Sequence, residues 1–358
     1  MMKSDPALTP FSYSELDAIE GYDDALECTL AFRGDAIERI DKVLAEHPQF
    51  VMGWLFRAAW LTQAMEDRVY PEMVNSVERA RALMTKMPIN DREQGYLNAM
   101  ECWLKGDFFG AVQHWETVLT YCPFDLYALG LVHYTNVLLG DVTGQRDVVA
   151  RVIDLWDESM PGYEYVLAFY AFGLEENRDF SKAEELARHA LSLRPDHPYA
   201  VHVVCHVMEM RGRQSGGVRF MLDQVKRWGS SNFANHLWWH TALFYVDLEQ
   251  IDSALDIYDQ QLVEVGKANE KYEELDAAAL LWRLTLLGTD VGQRWAYLAD
   301  RWEPAARDTL YAFNDVHAMM TFVADNRSEA QQELLTENER YVENASDANV
   351  AMSREIGM

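Results

Sequence analysis

Basic residues are scarce in this chain. Its 358 residues include 31 Lys and Arg against 58 Asp and Glu, giving a formal net charge of −27 and a pI of about 4.6. No basic stripe exists to release counterions from phosphates, so a nucleic-acid ligand is not expected. An anionic membrane surface is disfavoured for the same reason, while the charge itself favours solubility. Cysteine is scarce too. Cys28, Cys102, Cys122 and Cys205 form no CxxC, and their spacing suits neither a zinc knuckle nor a disulfide framework. They read as small buried hydrophobes in a reducing compartment. The longest apolar stretch, around 237–246, is too short to cross a bilayer and contains His240. The opening Met1-Met2-Lys3-Ser4-Asp5-Pro6 lacks the apolar core of a signal peptide. A cytoplasmic location is therefore expected. Phosphate-binding and nucleophile motifs are missing as well: there is no GxGxxG after a strand, no GxxxxGK[ST] and no GxSxG. Gly216-Gly217 reads as part of a helix–helix turn with no phosphate-loop context.

Strand signals are nearly absent, and what replaces them is regular. Long stretches place apolar residues at i, i+3, i+4 and i+7, the pattern of amphipathic helices. Short polar breaks recur at Gly106-Asp107, Gly140-Asp141, Arg178-Asp179, Gly212-Arg213, Asp247-Leu248-Glu249 and Gly288-Thr289, about 35 residues apart. Pro48, Pro88, Pro123, Pro161 and Pro195 fall between the resulting units, where one helix has ended and the next begins. A helix–turn–helix repeated at that period is the signature of tetratricopeptide repeats. The expected fold is an all-α, right-handed α-solenoid of about eight to nine helix pairs. First helices are expected at 15–33, 50–66, 91–105, 124–139, 163–177, 199–211, 232–247 and 271–287, with a partial ninth pair from about 308. The whole chain, 1–358, reads as one repeat domain, its core at about 15–325 and its end, 326–358, a capping helix and tail.

In such repeats the first helix of each pair faces inward, so repeat counting picks out inward-facing side chains. His202 and His206 form an HxxxH, and Glu209 follows on the same helix face. A second HxxxH, His236 and His240, lies in the next first helix with Trp239 between them. Asn314, Asp315 and His317 follow on a later one. Adjacent first helices sit about 10 Å apart, so these groups could converge on one ligand. Imidazoles beside carboxylates can act as acid and base near neutral pH or bind a polar ligand. Histidines at i and i+4 can also place two nitrogens on a divalent metal, here His202, His206, His236 and His240. The metal version is the less favoured, because HxxxH lacks the general-base glutamate of HExxH. His133 reads as a core residue, and most tryptophans as inter-helix packing.

Several segments resemble one family beyond generic repeats. They include Arg92-Glu93-Gln94, Gly106-Asp107-Phe108 with Trp115-Glu116, and Tyr170–Leu174 with Ala183-Glu184. Val201-His202 through His206 to Glu209-Met210, His236 through His240, Ala254 with Ile257-Tyr258-Asp259, Gly292-Gln293-Arg294-Trp295 and Phe313-Asn314-Asp315 with His317 complete the set. Over about 40–325 the chain resembles the tetratricopeptide repeat protein 38 family. That resemblance implies the repeat fold and brings no established reaction.

The functional expectation is a binding protein in which His202, His206, Glu209, His236, Trp239, His240, Asn314, Asp315 and His317 hold a small molecule or a peptide segment. The alternative is an acid–base enzyme, a hydrolase for example and one that could use a metal. There His206 and His240 form the central pair, and Glu209 and Asp315 orient or activate them. A third reading is a scaffold whose histidines are structural. Few basic residues on the first helices argue against an acidic peptide tail. Nothing in the sequence sets an oligomeric state.

Overall fold

A computed structural model describes residues 8–263 and 271–357. The expectation of no leader at Met1–Pro6 lies outside the described residues. Among the described residues there are helices and no strands. None of these helices is long and apolar enough to cross a membrane.

The repeat period has a local cause. Each turn within a helix pair needs one left-handed residue. From the third pair onward these fall at Gly106, Gly140, Arg178, Gly212, Glu249, Gly288 and Asn326, with φ between +57° and +80°. The next residue often caps the second helix. The side chains of Asp107, Asp141 and Asp179 accept the backbone N–H three residues on, from Gly110, Gly144 and Lys182. A left-handed stop followed by an Asp start reverses the chain within two residues, which is why the sequence reads Gly-Asp at the clearest breaks. First helices use capping too: Asn90 and Glu93 form a reciprocal capping box, and Asp125 accepts from Ala128 N–H.

The chain divides into two compact units, one of residues 1–64, 68–207 and 226–232, the other of 65–67, 208–225 and 233–358. The first contains α1 (Leu16–Leu30) with α2 (Ala36–Glu46), α3 (Val51–Leu61) with α4 (Tyr70–Met84), and α5 (Asp91–Trp103) with α6 (Phe108–Tyr121). It continues with α7 (Leu126–Leu139) and α8 (Val142–Ala150), then α9 (Tyr163–Glu176) and α10 (Phe180–Leu193). The boundary falls within α11 (Pro198–Met210) and again within α12 (Gln214–Trp228). The second unit has α13 (Ala234–Asp247) with α14 (Ile251–Ile257), which runs on as a π-helical turn, Tyr258–Val263. It also has α15 (Lys271–Leu286) with α16 (Arg294–Trp302), α17 (Ala312–Ala324) with α18 (Ser328–Asn344), and a short α19 (Val350–Ile356). The fold is thus the expected all-α tetratricopeptide type. Every expected first helix is present, and α17 is the ninth.

Gly216-Gly217 is a correction to the sequence reading. Both residues lie inside α12, and the turn belongs to Gly212, at φ +67°. Gly217 is small for a packing reason: a Cβ there would run into the buried ring of Phe244 on α13. Two of the four thiols, Cys122 and Cys205, are buried, whereas Cys28 and Cys102 are half-buried, so only half of that expectation holds.

The first unit has a charged centre. Arg92 and Asp125, both at most 2% exposed, pair at 2.7 Å (Nε to Oδ2). Tyr96 donates its hydroxyl to Asp125, Arg92 donates to the Tyr22 hydroxyl, and the guanidinium lies 4.9 Å from the Phe11 ring centroid. One ion pair thereby ties α1, α5 and the capped start of α7 together. The second unit is packed around Leu243, Tyr258, Leu281, Trp295, Trp302 and Phe322, with Ala330 and Leu334 of α18 closing over α17.

Candidate functional site

In the second unit, α13 presents His236, Trp239 and His240 along one side. The four-residue spacing brings the two rings face to edge, with centroids 4.7 Å apart and an interplanar angle of 88°. Their Nε2 atoms are 3.1 Å apart. Each Nδ1 is held by a carboxylate from a neighbouring helix. Glu209, in the last turn of α11, reaches His240 Nδ1 at 3.2 Å. Asp276 of α15 reaches His236 Nδ1 with both oxygens, at 3.1 and 3.0 Å. The result is a four-membered chain, Glu209–His240–His236–Asp276.

That chain constrains its own protons. A carboxylate accepts, so each Nδ1 carries a hydrogen and donates it. The two Nε2 atoms then share the 3.1 Å contact between the rings. The surroundings support a polar, partly dry site. His240 and Asp276 side chains are 4% and 11% exposed, while Glu209 at 29% opens the chain to solvent. Trp239 stacks on His236 at 5.3 Å with a 21° interplanar angle, and the Arg283 guanidinium lies 5.3 Å from the Trp239 centroid. The Trp239 Nε1 is buried and has no hydrogen-bond acceptor among the described residues.

On α17, Asn314 and Asp315 are buried in the first turn. His317 donates from Nδ1 to the Phe313 carbonyl at 2.7 Å. Burial pushes its pKa below the ordinary value; Asp276 acts in the opposite direction and Arg283 adds to the lowering. His317 is therefore a neighbour of Asp276 and Arg283.

The other expected pair, His202 and His206, belongs to the first unit, so the four-histidine set divides between the units as two pairs. The two rings are 4.2 Å apart. His202 tilts against Phe172 and Tyr199, and His206 Nδ1 lies 3.3 Å from Glu175 of α9. Glu175 and Glu176 each offer a carboxylate oxygen within 4.8 Å of a His206 nitrogen. Burial, with Glu175 next door, raises the Glu176 carboxyl above the usual carboxylate range. Cys205 between the two histidines is fully buried. His133 is the core residue it was expected to be: it accepts a close contact from Tyr199, stacks on Phe169, and burial drops its pKa to about 3.

Asp276 and Glu175 escaped the sequence reading. Each is an acid at the edge of an apolar first-helix stretch, Asp276 between Glu273-Glu274 and Ala277-Ala278-Ala279, and Glu175 between Phe172-Gly173-Leu174 and Glu176. An acid buried in such a run is the signal that could have found them.

No protein-family model matches the sequence. Among solved structures, the chain is similar to a Rap protein complexed with competence and sporulation factor, at 13% identity and a TM-score of 0.52, covering 92% of this chain and 99% of that one. It is also similar to the apo form of RapI, at 10% identity and a TM-score of 0.49, covering 92% and 99%. A human IFIT1 dimer with m7Gppp-AAAA matches at 13% identity and a TM-score of 0.44, covering 93% and 80%. At such identity the first of these likenesses shows the fold alone, a tetratricopeptide-type helical repeat.

Proposed function

We propose that this protein is a repeat-type binding protein that holds a small molecule or a peptide segment against His236, Trp239 and His240, with Glu209, Asp276 and His317 around them. The observation that supports this most is the Glu209–His240–His236–Asp276 chain. Four polar groups on three helices are aligned by hydrogen bonds, at a cost in desolvation that a purely structural core would avoid with apolar residues. The stacked Trp239 supplies apolar area beside it, the usual composition of a ligand site. A Rap protein of this fold is complexed with competence and sporulation factor, which shows that the fold can serve as a binding body.

A small molecule or peptide is preferred to nucleic acid on the net charge of −27. The same reading places the protein in the cytoplasm and in the tetratricopeptide repeat protein 38 family, on the segments quoted above. His202 and His206 in the first unit, and Asn314 and Asp315 in the second, are proposed as ligand contacts within their own units.

The second reading is an acid–base enzyme. It is favoured by the same chain, because two hydrogen-bonded imidazoles between two carboxylates can relay a proton from Glu209 toward Asp276. Here His240 works with His236 and Glu209, while His206 and Asp315 keep their roles only as proposals.

Native mass spectrometry of the full chain as purified, followed by denaturation and small-molecule analysis, tests the binding reading. A stoichiometric organic ligand, lost in His240→Ala with helicity unchanged, supports it. Equal retention in wild type and variant sinks it.

A further inference from the structure

We propose that His236 and His240 chelate one first-row divalent metal through their Nε2 atoms, with Glu209 and Asp276 as the carboxylates that orient the two rings. This rests on the binding reading of the same residues and specifies what the imidazole pair holds.

Three observations converge. The first is the distance. Metal–imidazole bonds are about 2.0–2.1 Å, so two nitrogens 3.1 Å apart subtend roughly 95–100° at a shared ion, within the range of tetrahedral and octahedral sites. The second is the outer shell. A ligating histidine typically donates its other ring N–H to a carboxylate, which fixes the tautomer and raises the basicity of the ligating nitrogen. Both histidines have that partner, at 3.0 Å from Asp276 and 3.2 Å from Glu209. The third is electrostatic. The two carboxylates behind the rings carry negative charge, which a divalent cation between the rings offsets.

The donor chemistry selects the ion class. Imidazole nitrogen favours zinc, nickel or copper over magnesium or calcium, which take oxygen ligands. With the two ring nitrogens as ligands, the remaining positions are open to water or to donor atoms of a bound molecule. That molecule would then carry a carboxylate or another hard donor able to reach the ion.

The test uses the full chain, stripped with chelator and titrated calorimetrically with Zn²⁺ and, separately, with Ni²⁺. Saturable binding of one equivalent is expected, weakened by at least about 100-fold in His236→Gln/His240→Gln. In Glu209→Gln or Asp276→Asn the expected weakening is about 10–100-fold. His189→Ala, at an exposed ion pair with Glu158, should bind like wild type. X-ray absorption on the loaded wild-type protein, which needs no variant to fold, should show a nitrogen shell with imidazole scattering from at least two rings. No saturable binding up to about 100 μM, one-equivalent binding retained in the double variant, or an oxygen-only or sulfur shell overturns the proposal. An organic ligand that co-purifies without metal overturns it too, and leaves the binding reading standing.

Discussion

His236 and His240 meet nitrogen to nitrogen, Nε2 to Nε2 at 3.1 Å, while their other nitrogens are turned away onto Asp276 and Glu209. The two acids come from different helices, α15 and α11, so the ring orientation is fixed by packing around α13 and not by α13 alone. A perturbation of either acid should therefore change the pair without changing the helix.

Asp276→Asn tests that. The amide keeps the volume and one acceptor but removes the charge that holds Nδ1–H of His236. Ligand affinity is expected to fall about 10–100-fold, while far-UV circular dichroism and thermal midpoint stay close to wild type. A thermal midpoint that drops in step with affinity would make Asp276 a structural residue only.

Stability should fall on mild acidification. Burial lowers the pKa values of His133 and His197 to about 3. Above the unfolded value of about 6.5 neither contributes to pH dependence. Between about 6.5 and 3 the unfolded chain binds these protons and the folded chain does not, so stability declines as pH falls, by roughly 1.4 kcal/mol per pH unit for each group. His133→Gln, which can still meet Tyr199 and Gln145, should lessen the slope of unfolding free energy between pH 6 and 4.5. An unchanged slope would show that His133 takes up its proton in the folded state.

Removing one member of the Arg92–Asp125 pair leaves the other charge buried. Arg92→Ala is expected to cost about 3–5 kcal/mol, read as a lower urea midpoint, because Asp125 then loses its charged partner and, among the described residues, keeps the Tyr96 hydroxyl and the Ala128 N–H. Replacing both by apolar residues of similar volume should cost less than the single change. A double variant as unstable as Arg92→Ala would contradict the burial argument.

Arg178 is exposed and holds φ +68°, the left-handed conformation that glycine takes at the equivalent turns 106 and 140. The strain for an L side chain there is about 1 kcal/mol. Arg178→Gly should raise the thermal midpoint by a few degrees, and Gly140→Ala should lower it by a similar amount. Thermal scans of both variants, measured side by side, decide it.

The helical repeat was legible because its causes are local. A left-handed turn residue, an Asp cap and an amphipathic stripe are each written within a few residues, and their recurrence at Gly106-Asp107, Gly140-Asp141 and Arg178-Asp179 identifies the fold. The HxxxH pairs were legible for the same reason, since a spacing of four fixes a shared helix face. Gly217 was misread because its requirement is a neighbour's ring, Phe244 of α13, and no local pattern distinguishes it from a turn glycine. Asp276 was missed on the same ground. Its partner His236 lies 40 residues earlier in the chain, and only the packing of α15 beside α13 sets a carboxylate on that particular nitrogen. Sequence alone therefore determined which residue types face inward on which helices, because helix geometry is a property of neighbouring residues. Tertiary structure decided which acid meets which imidazole, because hydrogen-bond partners a few ångströms apart are chosen by side-chain packing between helices distant in the chain.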